Sequence, residues 1–219
     1  MKYYEAYEER YKTIHKKGHS WSSDIATPIV LETIKKCGIS KTDRILEIGC
    51  GEGRDAIPVL KDGYDLLATD LSEEAIKYCQ KNCKEYADKF QVLDCLNSNH
   101  KDKYRFIYAV AVLHMLVLDE DRIKFFEFIK DHLEDNGVAL VCSMGDGTME
   151  MKSDIATAFN LQKREHPSGE VMVAATSCRM VSFETFEKEI EQAGLKIVNK
   201  GITSSLPDFN SLMFVVIRK

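Results

Sequence analysis

The chain has 219 residues, 44% of them hydrophobic and 30% charged, with a net charge of -5. That length and balance suit one folded α/β domain and exclude a disordered chain. The acidic balance argues against a broad phosphate-binding face for nucleic acid. The longest apolar run, 107–118, is too short to cross a bilayer and is interrupted by His114.

In chain order, residues 1–43 predict one or two helices outside a regular core. Tyr3, Tyr7 and Tyr11 fall four apart, on one helical face. The start, Met1-Lys2-Tyr3-Tyr4-Glu5, lacks the apolar segment of a secretory signal. The seven cysteines are an odd number without a C-x-x-C pair, which fits reduced thiols and a cytoplasmic setting. His15 and His19 have i, i+4 spacing, but Gly18 weakens the helix between them and no third ligand is evident, so no metal site is expected.

A predicted strand at 44–48 runs into Glu47-Ile48-Gly49-Cys50-Gly51-Glu52-Gly53, and a helix at 55–61 follows. A glycine-rich turn between a buried strand and a helix is a nucleotide-binding device. A dinucleotide fingerprint needs G-x-G-x-x-G. Here Arg54 holds the third site and Gly53 comes one residue early, so the loop suits a ligand other than NAD. Further strands are predicted at 65–69, 90–93, 106–112 and 138–143. Helices are predicted at 73–87, with Ser72 as N-cap and Glu73 and Glu74 in its first turn, and at 121–132. Gly63 and Gly137 stand where helices should end. Residues 145–181 carry Gly145, Gly147, Pro167 and Gly169 and predict variable structure facing a substrate. The tail reads as a helix at 184–193, capped by Ser182 and ended by Gly194, then strands at 195–202 and 211–217. The short link Ser204-Ser205-Leu206-Pro207-Asp208 permits only an antiparallel pair.

Motif and outline together resemble the class I S-adenosylmethionine-dependent methyltransferases, from about residue 44 to the C-terminus. The fold this implies is α/β: a Rossmann-like doubly wound sheet of seven strands, mostly parallel, with an antiparallel C-terminal strand. Residues 1–219 would form a single methyltransferase domain, with 1–43 a helical cap and 145–181 a substrate-facing insertion. The family's acidic residue and G-x-G-x-G match Glu47, Gly49, Gly51 and Gly53. Its ribose-binding acid matches Asp70, and the acid near the adenine amine matches Asp94. Its V-L-H after strand four matches Val112-Leu113-His114. The resemblance also implies cofactor contacts from Cys50, Leu71, Cys95 and Ala111. One departure is Ala109-Val110-Ala111, where many members place a polar or acidic residue.

The physical chemistry fits these assignments. Glycines let backbone approach a ligand where a Cβ would collide, and an aspartate can accept from two ribose hydroxyls at once. Plainer readings stand beside them. Asp70 could be a turn residue and Asp94 a cap of the next turn. Glu47 could hold a structural hydrogen bond. Arg54 either meets an anionic ligand group or is a solvated first-turn residue. His114 is either a general base or a core histidine. Tyr11 and Trp21 either cover the sulfonium as lid residues or simply pack.

The expected reaction is transfer of a methyl group from S-adenosylmethionine to an O, N, S or C nucleophile, leaving S-adenosylhomocysteine. A small-molecule acceptor is favoured, because the chain is acidic and lacks the Asn- or Asp-Pro-Pro-aromatic motif of nucleic-acid methylases. The Gly-Glu-Gly-Arg-Asp loop looks like that of small stand-alone enzymes resembling tellurite-resistance methyltransferases. No nucleic-acid or membrane partner is expected. Two rivals remain: a catalytically silent S-adenosylmethionine-binding regulatory protein, and an NAD(P) oxidoreductase on a Rossmann sheet.

Overall fold

A computed structural model of the chain describes residues 2–203 and 211–219. The expected link at 204–208 lies outside the described residues. Its elements are α1 (Ala6–His15), α2 (Pro28–Lys36), β1 (Arg44–Ile48), α3 (Ala56–Lys61), β2 (Asp65–Asp70), α4 (Glu73–Asn82), β3 (Phe90–Val92), β4 (Tyr104–Val110), α5 (Asp119–His132), β5 (Leu133–Met144), β6 (Met151–Lys152), β7 (Leu161–Arg164), β8 (Val171–Ala174), β9 (Arg179–Met180), α6 (Phe183–Gln192), β10 (Lys196–Thr203) and β11 (Leu212–Arg218).

Seven strands form one sheet in the order β10-β11-β5-β4-β1-β2-β3. β3, β2, β1, β4 and β5 run parallel, while β11 is antiparallel to both β5 and β10. The helices cover both faces because neighbouring strand residues point opposite ways. Ile45 packs with α2, α3 and α4 through Ile34, Val59 and Ile76. Leu46 packs with α5 and α6 through Phe125, Ile129 and Phe186. This is the expected seven-stranded fold, and its antiparallel finish distinguishes it from the parallel dinucleotide-binding sheet.

Several boundaries depart from expectation. The helix predicted to reach residue 87 stops at Asn82. Cys83 leaves helical geometry, and a 3-10 turn spans Lys84–Lys89. That turn buries no side chain, so packing supplies nothing to extend the helix. Strand four ends at Val110 instead of 112, because Ala111 takes a left-handed conformation (φ 60°). Gly137 does not end a helix. α5 stops at His132, and Gly137 lies within β5, where a Cβ would meet the Glu134 carbonyl at 2.9 Å.

Residues 145–181 form two small antiparallel sheets, β6 with β9 and β7 with β8. α1 packs between α4 and β8. Its buried Arg10 donates to the Ala174 carbonyl from Nε (3.1 Å) and Nη2 (2.6 Å), and to the Ala175 carbonyl (2.8 Å). The N-terminal segment and the 145–181 segment therefore pack together as one layer over the C-terminal strand ends.

Candidate functional site

The strand ends fix the floor of the site. Cys50 N–H donates to the Thr69 carbonyl (2.8 Å), which continues the β1–β2 ladder into the glycine loop. The Asp70 carboxylate at the end of β2 accepts Gly51 N–H on Oδ2 (2.8 Å) and Ser72 N–H on Oδ1 (2.8 Å). Burial raises its carboxyl above the usual range, against the pull of those two amides. The loop needs glycine for two separable reasons. Gly49 has φ 75°, and a Cβ there would stand 2.3 Å from Val112 Cγ2. Gly51 has φ 53°, and a Cβ would stand 2.7 Å from Tyr11 Oη.

These elements enclose a cavity of about 520 Å³. The structure brings Glu47, Gly49, Cys50, Gly51 and Arg54 to it from the loop, Asp70 and Leu71 from the end of β2, and Asp94 and Cys95 from the end of β3. Ala111 reaches it from the end of β4, and Tyr11 and Trp21 from the N-terminal segment. Glu47 is 2% exposed and accepts the Tyr108 hydroxyl proton on Oε2 (2.9 Å). Burial, then the Asp55 charge, push its carboxyl well above the usual range. Asp94 also caps its turn, accepting Leu96 N–H (2.9 Å) and Asn97 Nδ2 (2.8 Å), and it pairs with Lys2 Nζ at 3.0 Å. Both readings of Asp94 are therefore compatible. Arg54 donates to Asp55 Oδ2 from Nη2 (3.1 Å) and Nε (3.3 Å). Asp55 in turn accepts the Thr27 amide (2.5 Å) and hydroxyl (3.0 Å).

Two expected residues stand apart from the cavity. Gly53 does not line it. A Cβ on Gly53 would meet Ile57 at 3.2 Å and Cys79 at 3.3 Å, so this glycine (φ 86°) serves helix packing beneath the loop. His114 is 4% exposed and does not line the cavity, whereas the following residues Met115 and Leu116 do. Burial, then the Arg122 charge, bring its pKa down to about 4, so it is a neutral imidazole at neutral pH. The tyrosine face also divides. Tyr7 and Tyr11 line the cavity, whereas the Tyr3 hydroxyl leaves it to donate to Asp121 Oδ2 (2.6 Å). Among the described residues, no residue of 145–181 lines the cavity. That segment supports α1 from behind through Arg10.

Sequence reasoning missed Glu52. Its side chain is buried in the glycine loop, where Oε1 accepts Trp21 N–H (2.8 Å) and lies 2.7 Å from His15 Nε2, while Oε2 accepts both the amide and the hydroxyl of Ser22 (2.7 Å each). Burial works to raise this carboxyl, but the bonds from His15, Ser22 and Trp21 outweigh it and hold it below its usual value. The only signal in the sequence is an acid inside a loop otherwise made of glycine and apolar residues.

Residues 45–137 match a family model described as "Methyltransferase domain". A Methanocaldococcus jannaschii protein, provisionally named a ribosomal RNA large subunit methyltransferase, is 31% identical over 93 residues, 42% of this chain and 21% of that protein. The juvenile hormone acid O-methyltransferase of Bombyx mori is 29% identical over 110 residues, 47% of this chain and 38% of that protein. The chain thus spans well under half the length of these two relatives. An S-adenosylmethionine-dependent methyltransferase structure from Clostridium acetobutylicum superposes with TM-score 0.67 at 15% identity, over 87% of this chain and 89% of that one. Sheet order, glycine loop and family match converge: residues 45–137 match the methyltransferase-domain model, and the chain has the fold of class I S-adenosylmethionine-dependent methyltransferases.

Proposed function

We propose that this chain is an S-adenosylmethionine-dependent methyltransferase acting on a small molecule, with residues 1–219 as one unit and 1–43 as its cap. The observation that carries the reading is the carboxylate of Asp70, held in the cavity floor beside the glycine loop by the amides of Gly51 and Ser72. The donor set fits the cofactor. A carboxylate oxygen can accept more than one hydrogen bond, so Asp70 keeps acceptor capacity for ribose hydroxyls, and its two amide bonds aim it. The loop backbone offers close approach, Leu71, Asp94 and Cys95 surround the adenine end, and Tyr7 and Tyr11 offer faces that attract a cation.

The bound cofactor supplies an electrophilic methyl group and a neutral thioether leaving group, so no acid is needed to protonate it. The chain's own task is to hold the acceptor in line and keep water out. Tyr11 and Trp21 close the cavity from the cap, and Met115 and Leu116 form an apolar wall. Ala111 presents backbone where related enzymes place a polar side chain; its left-handed φ of 60° directs that backbone at the cavity edge. Arg54 stands ready for an anionic group of cofactor or acceptor. His114, neutral and off the cavity lining, serves the site through packing, so acceptors that reach the cavity already deprotonated or as free amines fit best.

A small acceptor is supported by the enclosure under the cap and by the name of the Bombyx mori relative, which acts on an acid. Calorimetry with S-adenosylhomocysteine tests the reading. Binding is expected in the micromolar range, and Asp70→Ala should weaken it by about 100-fold, the worth of one bidentate contact of two charge-assisted hydrogen bonds at about 1.5 kcal/mol each. Absence of binding to the unaltered protein would refute the reading. Cofactor binding without methyl transfer to any member of a broad acceptor panel would favour the silent regulatory protein.

A further inference from the structure

The contacts of Glu52 raise a question that the pocket floor does not answer. A carboxylate inside the cofactor loop directs all four of its contacts at the N-terminal segment and none at the loop itself. The central partner is His15, at the end of α1. Its Nε2 lies 2.7 Å from Glu52 Oε1, and its Nδ1 lies 3.0 Å from Glu74 Oε1 on α4. A carboxylate faces each ring nitrogen. Only the imidazolium can donate to both, because a neutral ring would turn a lone pair toward one of the acids.

The groups around the ring are consistent with a charged state. Tyr78 of α4 stacks on it at 4.5 Å and Tyr11 of α1 at 5.7 Å. Lys12, one turn before His15 on α1, is paired with Glu8 and Glu9, and the exposed Lys16 follows His15 at the helix end. Glu8 also accepts the Glu74 amide (3.1 Å) and the Ser72 hydroxyl (2.5 Å). Asp24 lies near Tyr78 and adds a further negative charge. Burial acts to lower the His15 pKa, but the bonds to Glu52 and Glu74 outweigh it and raise it above its usual value.

We infer that Glu52 is a positioning residue: through His15 and the 21–22 backbone it clasps the N-terminal cap onto the cofactor loop, and release of this clasp opens the cavity for ligand exchange. Tyr11 shows the consequence. It lies one helical turn before His15, and its hydroxyl closes on Gly51, so the clasp sets the height of this ring above the loop. From behind, Arg10 ties the same helix to the Ala174 and Ala175 carbonyls and the Thr176 hydroxyl. α1 is therefore held on two sides, by an arginine on carbonyl oxygens behind it and by a histidine between two carboxylates at the loop. The sign follows. A histidine with raised pKa stabilises the closed cap below its unfolded pKa, and that stabilisation is lost as pH rises through the folded value. The cap is closed in mild acid and opens toward alkaline pH.

The inference rests on the cofactor reading only for its second measurement. The first is hydrogen exchange on the ligand-free protein, corrected for intrinsic rates, at about pH 6 and about pH 9. In the unaltered chain the α1 amides should lose about tenfold in protection at the higher pH, while β4 and α6 hold theirs. In His15→Gln and Glu52→Gln, α1 should be weakly protected at both. Protection of β4 and α6 reports folding, and if Glu52→Gln does not fold, His15→Gln carries the test alone. Equal α1 protection in all proteins at both pH values would overturn the clasp, whatever binds the pocket. The second measurement is stopped-flow release of S-adenosylhomocysteine. The rate should rise about tenfold with pH in the unaltered protein and be fast and flat in His15→Gln. Release that is independent of pH and identical in both proteins, alongside binding that Asp70→Ala weakens about 100-fold, would overturn the clasp and leave the cofactor reading standing.

Discussion

The floor of the cavity and its cap are built by different means. The floor is held by backbone. The β1–β2 register, the Cys50–Thr69 bond and the Gly51 amide on Asp70 join partners about twenty residues apart, and the Ser72 amide holds Asp70 from two residues away. The cap is held by side chains reaching across the molecule, from His15 to Glu52 over 37 residues and from Arg10 to Ala174 over 164. Backbone ladders continue a sheet and move only when the sheet unfolds. Side-chain clasps can release singly at a cost of a few kcal/mol or less, which suits a part that must open for ligand exchange.

The comparison is most sharply tested at Gly49. Gly49→Ala combines a left-handed backbone with a Cβ 2.3 Å from Val112, and the expected loss is about 3 kcal/mol of global stability. Urea melts followed by fluorescence and circular dichroism should shift together. A loss below about 1 kcal/mol would mean that the floor yields as readily as the cap.

Arg10→Met is the matching change in the cap. It leaves the Ala174 and Ala175 carbonyls without their buried donor, at about 1–3 kcal/mol. The effect should be local, with faster exchange in α1 and β8 and an unchanged β4. A uniform drop across the whole chain would show that floor and cap unfold as one unit.

Glu47→Gln gives the smallest effect and probes the floor alone. Glutamine keeps an acceptor for the Tyr108 hydroxyl and removes the buried carboxyl. Because the folded carboxyl has a raised pKa, the folded state holds its proton longer than the unfolded chain does. Its contribution to stability therefore falls as pH rises above the ordinary glutamate range. The variant should be more stable than the unaltered protein by about 1 kcal/mol near neutrality and equal to it near pH 4. A gain of the same size at both pH values would contradict a titrating Glu47.

The floor was legible in the sequence because its signals are local. The glycine spacing of 49, 51 and 53, an acid at the end of the second strand, and the Ser72 cap all lie within short windows where period and turn chemistry act. The same locality explains two misplacements. Gly53 and His114 stand at motif positions, but whether a motif residue faces the cavity depends on tertiary packing: Gly53 packs on Ile57 and Cys79, and His114 is buried away from the cavity that Met115 and Leu116 line. The role of 145–181 was invisible for a related reason. That segment meets residues around the site through Arg10 on the Ala174 carbonyl, Ser177 on the Met115 carbonyl and His166 stacked on Trp21, contacts between distant residues that carry no sequence signature.

By itself, then, the sequence determined the α/β alternation, the antiparallel finish and the glycine turn after the first strand, because strand patterns, helix caps and glycine turns are properties of neighbouring residues. The tertiary structure alone decided that Glu52, the acid inside the glycine loop, holds the cap. Asp70 and Glu52 are both acids beside glycines; they differ in what the fold brings against them, two backbone amides in one case and His15, Trp21 and Ser22 in the other.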